Sequence, residues 1–579
     1  MPSKELSPLL IDGHPVLTNP AEVANRMTGD RLVGFDLESS GLSPWRDRIA
    51  TVQLYGDESG TAALIQTPRG KIPSAIKDIL EDPRKLFVVH NGVSFDIPFL
   101  HTHGVDVNKA SWFDTLVAET AIVPNQRRDV SKSLRASLKR RLEVEVDKDV
   151  DHSGWENPVL TDTQVGYAMR DVLHLPALRD AQLQRAEAAG VTKGLEMETR
   201  LVLPTAWLTI NGLPISLTKL NEYLDQQRSD ISKVTAEFVA EFRSVNARSP
   251  KQLLGAFAAK GFNLEDTRKE TLLELELGGG EVGQLAHILL EYRRPDQRLK
   301  IYNDGWVAKH VQPDGRVHAR FWQCSTDTTR FSSSDPNFEQ WPQDMRWVIG
   351  WEEGKVVVAV DLSQIEIRVM AAIAKDQALL QALEAEDVHT AIASTVFGVP
   401  EAEVSFDMRK LAKGMSFTIL FGGGVPKLYD YARLGGSSLG YEDVSRVVEA
   451  FLDRFRGIKA LREQAYALAD AGRPVTVRIP SGLKRTLFGH KLRPTTILNT
   501  MVQSTAAAGI KFGMLEAWDR GLWVGKVGNQ VHDELVAVVA KDEAAEYGRE
   551  LADAMEVGFR RAIDCNPRTR VKVNDFWEK

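Results

Sequence analysis

Cysteine is almost absent. Cys324 and Cys565 are the only two in 579 residues, too few and too far apart in the chain for a disulfide framework or a cysteine zinc site between them. A reducing, cytoplasmic setting is expected. Long apolar runs are missing as well, and the start Met1-Pro2-Ser3-Lys4-Glu5-Leu6 lacks the basic segment and apolar stretch of a signal peptide, so neither export nor a membrane partner is expected. Internal repeats and low-complexity tracts are absent, and with no G-x-x-x-x-G-K-[ST] loop a P-loop ATPase or helicase has no anchor. There is no excess of positive charge: 72 Lys and Arg face 79 Asp and Glu, for a net charge of -7. This excludes a protein that is basic all over, but not a local basic stripe facing phosphates.

What remains is ordinary for a folded chain, 43% hydrophobic and 26% charged, and long enough for two to four domains. From about residue 30 to 180, short apolar strands (Arg31 to Leu37, Thr51 to Tyr55, Lys85 to His90) alternate with helices such as Ser94 to His103, an α/β pattern. From about 190 to 305 the pattern is helical, with amphipathic periods over Leu217 to Arg243, Lys251 to Lys260 and Gln284 to Arg294. Strand signals return at Lys355 to Asp361 and Val524 to Val539, separated by a helical block from roughly 388 to 470. Gly278 to Gly283 formally matches G-x-G-x-x-G, but no βαβ unit surrounds it, so it reads as a helix-to-helix loop.

Two sets of carboxylates carry the chemistry. Asp36 and Glu38 end an apolar strand, and the period of two puts them on one face. Asp96 follows a second strand, and Tyr167 and Asp171 lie at i and i+4 on one helical face. Four acids converging would repel one another unless cations neutralised them, which a pair of divalent ions roughly 4 Å apart does. The second set begins with Lys355 to Asp361, a nearly continuous apolar strand ending in an acid. It continues at Gln530-Val531-His532-Asp533-Glu534, which reads as the turn of a hairpin. Between them, on a helix, Arg409, Lys413, Phe417 and Phe421 form one stripe at successive i+4 positions. Cations meeting phosphates and a ring stacking on a base suit a nucleotide.

Asp36, Glu38, Asp96, Tyr167 and Asp171, in this order and on these elements, resemble the tyrosine-containing form of the DEDD exonuclease superfamily over roughly residues 25 to 185. The resemblance implies a ribonuclease H-like fold that removes 3′-terminal nucleotides, with Tyr167 orienting the attacking water. Asp361-Leu362-Ser363-Gln364-Ile365-Glu366-Ile367-Arg368, the Arg409 to Gly422 segment and Gln530 to Glu534 resemble motifs A, B and C of family A DNA polymerases, over roughly residues 195 to 579.

That resemblance implies an α/β multidomain protein: exonuclease at 1–190, then a right hand with thumb at 191–310, palm at 311–387 and 476–579, and fingers at 388–475. It implies DNA-directed extension of a primer with dNTPs, and Mg²⁺ or Mn²⁺, two ions per active site. Asp361 and Asp533 would bind metal with Glu534 in support, as Asp36, Glu38, Asp96 and Asp171 would in the exonuclease. Arg409, Lys413, Phe417, Phe421, Gln364 and His389 would hold the incoming nucleotide, and Glu366 would exclude a ribose 2′ hydroxyl. Arg330, Asn499, Gln503 and His532 would touch primer-template DNA, while Lys484, Arg485, His490, Lys491 and Arg493 are candidate backbone contacts.

The chain departs from the family pattern at Leu362 (Tyr), Thr329 (Gly), Ser416 and Thr418 (Asn and Gly) and Phe421 (Tyr). None of these removes a metal acid. An exonuclease beginning near residue 25 leaves no room for an amino-terminal 5′ nuclease domain, and a compact, monomeric, bacteriophage-type replicative enzyme with unidentified replisome partners is the expected setting. A nuclease with a merely DNA-binding C-terminal half is disfavoured by Asp361, Lys413 and Asp533, a non-catalytic scaffold by the completeness of both acid sets, and a single-subunit RNA polymerase by Glu366.

Overall fold

A computed structural model describes residues 9–123, 130–146, 153–434, 439–489 and 492–578. The amino-terminal part is built on a seven-stranded sheet in the order Leu10–Ile11, His14–Leu17, Thr61–Gln66, Ile49–Gly56, Leu32–Ser39, Leu86–Val89, Ser111–Asp114. Leu32–Ser39 lies near its centre, antiparallel to Ile49–Gly56 and parallel to Leu86–Val89. Its residues Val33, Phe35 and Leu37 are buried in the core, where Phe35 meets Phe87 and Trp112 edge-on. The opposite face carries Gly34, Asp36 and Glu38. A Cβ on Gly34 would fall 2.5 Å from the Val172 carbonyl oxygen, so only glycine lets the helix Asp162–Leu173 settle onto this face. Thr161 and Gln164 start that helix with a capping box.

The carboxy-terminal platform is a four-stranded antiparallel sheet in the order Val527–Val531, Glu534–Ala540, Lys355–Leu362, Thr569–Asn574. Val356 to Val360 are all buried, as a central strand covered on both sides requires. The long helices Pro494–Asp519 and Ala544–Arg560 cross closely beneath it. A Cβ on Gly558 would come within 2.4 Å of the Gly513 nitrogen.

The helices Val388–Phe397, Phe406–Thr418, Val425–Leu434, Tyr441–Arg454 and Arg456–Asp470 form the expected insertion. The arm of Leu217–Phe242, Pro250–Ala259, Lys269–Gly278 and Gly280–Ile301 closes around its own small core of Phe238, Phe242, Leu253, Phe257, Leu272 and Leu289. The glycine-rich segment there shrinks to a single break at Gly279 between two helices. No helix among the described residues is long and apolar enough to cross a membrane.

One apolar core runs from the seven-stranded sheet into the four-stranded one. The helix Val202–Asn211 joins them, with Trp207 against His101 on one side and Asn211 donating to the Trp523 and Val527 carbonyls on the other. A second link is the loop after Glu38. Its Trp45 stacks on His318 at 3.7 Å, and Arg46 donates to the carbonyls of Ala308 and Val311. Lys511 and Glu198, both fully buried, form a third link as an ion pair.

Candidate functional site

In the amino-terminal sheet, Asp36 and Glu38 project from one face of Leu32–Ser39 toward the helix that carries Tyr167 and Asp171. Asp96 opens the helix Asp96–Thr102 and is buried, with one carboxyl oxygen lacking a hydrogen-bond partner. Burial, then the charges of Asp114 and Glu38, push its carboxyl up to about 8. The Tyr167 hydroxyl is raised by burial and by Asp171, Glu38 and Asp36 in turn, so the five expected groups share one electrostatic environment. Asp114, which sequence reasoning missed, accepts from the backbone N–H groups of Asn91 and Val93 and caps the helix Thr115–Ile122. It thereby fixes the turn that delivers Asp96. An acid at a strand end immediately before a helix was the available signal.

In the four-stranded sheet, Asp361 ends its strand opposite Glu534, and Asp533 sits in the turn between Val531 and Glu534. The Leu362 N–H donates to the Asp533 carbonyl at 3.1 Å. Burial, and after it the charge of the neighbouring Asp361 carboxyl, push Asp533 up to about 7. Glu534 is instead held by Arg346 at 2.9 Å and by the Trp577 indole N–H at 3.1 Å, two anchors not anticipated from sequence. His532 takes φ 52 and pairs with Glu339 at 2.9 Å, which raises its pKa. Arg330 and Glu366 pair with each other. Gln364, also left-handed at φ 52, starts the helix Ile365–Ala374 with its buried side-chain oxygen unpartnered. Asn499 and Gln503 lie one turn apart on Pro494–Asp519, both half-buried.

On the helix Phe406–Thr418, Arg409, Lys413 and Phe417 lie along one side, with the Phe417 side chain 54% exposed. Asp387 caps the helix Val388–Phe397 and binds Arg409 at 2.7 Å, which holds Asp387 down to about 2. His389 lies 6.4 Å from Phe417 between ring centres, and burial with the neighbouring Arg409 lowers its pKa. Phe421 departs from expectation. The helix ends at Thr418 and Gly422 follows at φ 83, so the stripe stops at Phe417.

The departures at Ser416 and Thr418 turn inward, their hydroxyls donating to the Ala412 and Gly414 carbonyls. Thr329, standing where the motif has Gly, is buried at φ 60, a region in which a β-branched residue is strained. Of the basic cluster, Arg485 is buried and Lys484 donates to the Ala189 carbonyl, so neither is poised to meet DNA. His490 and Lys491 lie outside the described residues.

Both acid sets offer hard oxygen donors, as Mg²⁺ or Mn²⁺ prefers. Burial first, and then the neighbouring acids, lift the carboxyls of Asp96 and Asp533, so a bound cation would lower both. Among the described residues no group of three or more His, Cys, Asp or Glu side chains is already arranged to hold a metal ion.

Residues 216–579 match the family model described as DNA polymerase family A, and residues 17–185 match that of a 3′-5′ exonuclease. The chain is 28% identical to DNA polymerase I of Aquifex aeolicus over 96% of its own length and 97% of that protein. It is 27% identical to DNA polymerase I of Pseudomonas aeruginosa over 88% of its length, spanning 60% of that relative. With the Streptococcus pneumoniae enzyme the figures are 28% identity and 64% of this chain, spanning 44% of that one. The solved POL domain of Pol1 from M. smegmatis, in complex with DNA primer-template and dNTP, has the same fold, with a TM-score of 0.80 at 23% identity over 97% of this chain and 99% of that one. These relatives are bacterial, and the expected bacteriophage setting finds no support among them. The chain belongs to DNA polymerase family A and carries a 3′-5′ exonuclease domain ahead of its polymerase region.

Proposed function

We propose that this protein extends a DNA primer on a template with dNTPs at Asp361 and Asp533, and trims the same 3′ end at Asp36, Glu38, Asp96 and Asp171, acting as a monomer in replication or repair in a reducing cytoplasm. The observation that carries the reading is the placement of Asp361 and Asp533 in one cavity, with the Leu362 N–H donating to the Asp533 carbonyl, together with a helix that offers Arg409, Lys413 and Phe417 along one side. When bound at each acid set, a pair of divalent ions such as Mg²⁺ would supply activation of the attacking oxygen and neutralisation of charge on the leaving one.

The chain's own groups do the rest. Arg409 and Lys413 bind the triphosphate, Arg409 leaving Asp387 to do so, and Phe417 stacks against the sugar and base. His389 supports the phosphates from beneath. Glu366, oriented by Arg330, occupies the space a ribose 2′ hydroxyl would need. Arg330, His532, Asn499 and Gln503 contact the primer-template, and Gln364 holds the start of the Ile365–Ala374 helix beside the nucleotide. In the exonuclease, Tyr167 positions the attacking water through its hydroxyl, which burial and the acids around it hold in the protonated form. The division into exonuclease, thumb, palm and fingers at 190, 310, 387 and 475 follows from the same reading.

A labelled primer-template incubated with Mg²⁺, with and without dNTPs, tests it. Asp533→Ala should abolish extension and leave degradation from the 3′ end, and Asp36→Ala should do the reverse. Extension that requires ribonucleotides, or loss of both activities from either folded variant, would refute two independent sites.

A further inference from the structure

Among the described residues the strand Thr569–Asn574 pairs only with Lys355–Leu362 and forms an edge of the sheet. Its register sets Arg570 opposite Asp361 and Lys572 opposite Ala359. Residues directly opposite share a face, their Cβ atoms about 5 Å apart, so both cations stand on the side of the sheet that bears Asp361. The alternate residue Val571 turns the other way, against Gly548 of the helix Ala544–Arg560. Arg570 and Lys572 line the same cavity of about 280 Å³ as Asp361, Asp533 and Arg346.

Arg346 is committed to Glu534. Arg570 and Lys572 have no side-chain ion pair among the described residues, although three carboxylates share their cavity and only Glu534 is taken by Arg346. Cations left unpaired beside acids are placed for a different anion, one that approaches while part of the same molecule reaches the acid pair. A nucleic-acid strand ending at Asp361 and Asp533 meets that description. Two residues along a β-strand advance by about 7 Å, a spacing comparable to that between neighbouring backbone phosphates of one DNA strand.

From this placement we infer that Arg570 and Lys572 grip two backbone phosphates of the primer strand behind its 3′ end, forming a phosphodiester site on the palm edge. The inference rests on the proposed reading of Asp361 and Asp533 as the place of extension. Gripping the strand from the neighbouring strand of the same sheet fixes the 3′ hydroxyl relative to Asp361 without any contact to a base, so the grip is indifferent to sequence.

The test compares the full chain with Arg570→Gln/Lys572→Gln, measuring affinity for a primer-template across a KCl series. Each lost phosphate contact lowers the slope of log affinity against log salt by about 0.9, so the double variant should bind more weakly with a slope shallower by about 2. Arg570→Lys/Lys572→Arg should restore both. An unchanged slope and affinity would overturn the inference and leave the pair as charges that merely guard an open edge. Unchanged DNA binding with a raised KM for dNTP, or lost inhibition by inorganic pyrophosphate, would overturn it in favour of the triphosphate. A parent protein unable to extend any primer would remove the premise instead, and is recognised because it fails before any variant is compared.

Discussion

Removing one acid of the polymerase pair should stabilise the metal-free protein while destroying synthesis. Asp533 is lifted from 3.8 to about 7 by burial and by Asp361. At about 1.4 kcal/mol per pH unit, keeping it ionised costs the fold about 4 kcal/mol at pH 8. The sign follows from proton counts. Between pH 4 and 7 the folded state holds a proton that the unfolded chain has released, so stability falls as pH rises through that window and levels off above it.

Asp533→Asn removes the charge, and with it the penalty. In EDTA at pH 8 the variant should melt higher, by about 5 °C, because an unfolding entropy of about 2.1 cal/mol/K per residue over the polymerase region gives roughly 1.3 °C per kcal/mol. At pH 4 the two proteins should melt together. Added Mg²⁺ should raise the parent and leave the variant nearly unmoved. Thermal melts followed by tryptophan fluorescence measure all three. A variant no more stable than its parent at pH 8, or a difference undiminished at pH 4, would refute charge repulsion as the cause.

Phe417→Ala should raise the KM for dNTP roughly tenfold or more in single-nucleotide incorporation, since a stacking ring contributes about 1–3 kcal/mol per base. The ring is largely exposed in the free protein, so the variant should fold normally. Thr329→Gly should stabilise the protein by about 1 kcal/mol in a urea titration, because glycine adopts φ 60 without the penalty a β-branched residue carries there.

The acids were legible because each ends an apolar strand or begins a helix, and those periods survive folding: Asp36 and Glu38 share a face, and Tyr167 and Asp171 share a helix. What sequence could not supply was register and competition for partners. Arg570 and Lys572 lie in a short, polar, alternating segment that resembles any solvent-facing edge, and only its pairing with Lys355–Leu362 puts them beside Asp361. Glu534 reads from the motif as an acid in support of the pair, yet Arg346 arrives from 188 residues away to hold it. Arg485 reads as one of a run of basic side chains but is drawn into the interior. Phe421 followed the i+4 rule on paper, and a glycine at positive φ just past the helix end broke the rule.

The loop that leaves Glu38 runs straight into Trp45 and Arg46, which are seated against His318 and the carbonyls of Ala308 and Val311. The cutting pocket is thus bolted by its own rim to the synthesising half, and swinging one toward the other would tear a ring stack and two carbonyl contacts. On the proposed reading, a 3′ end that passes from one acid set to the other is carried by movement of the DNA and not by closure of the protein across these contacts.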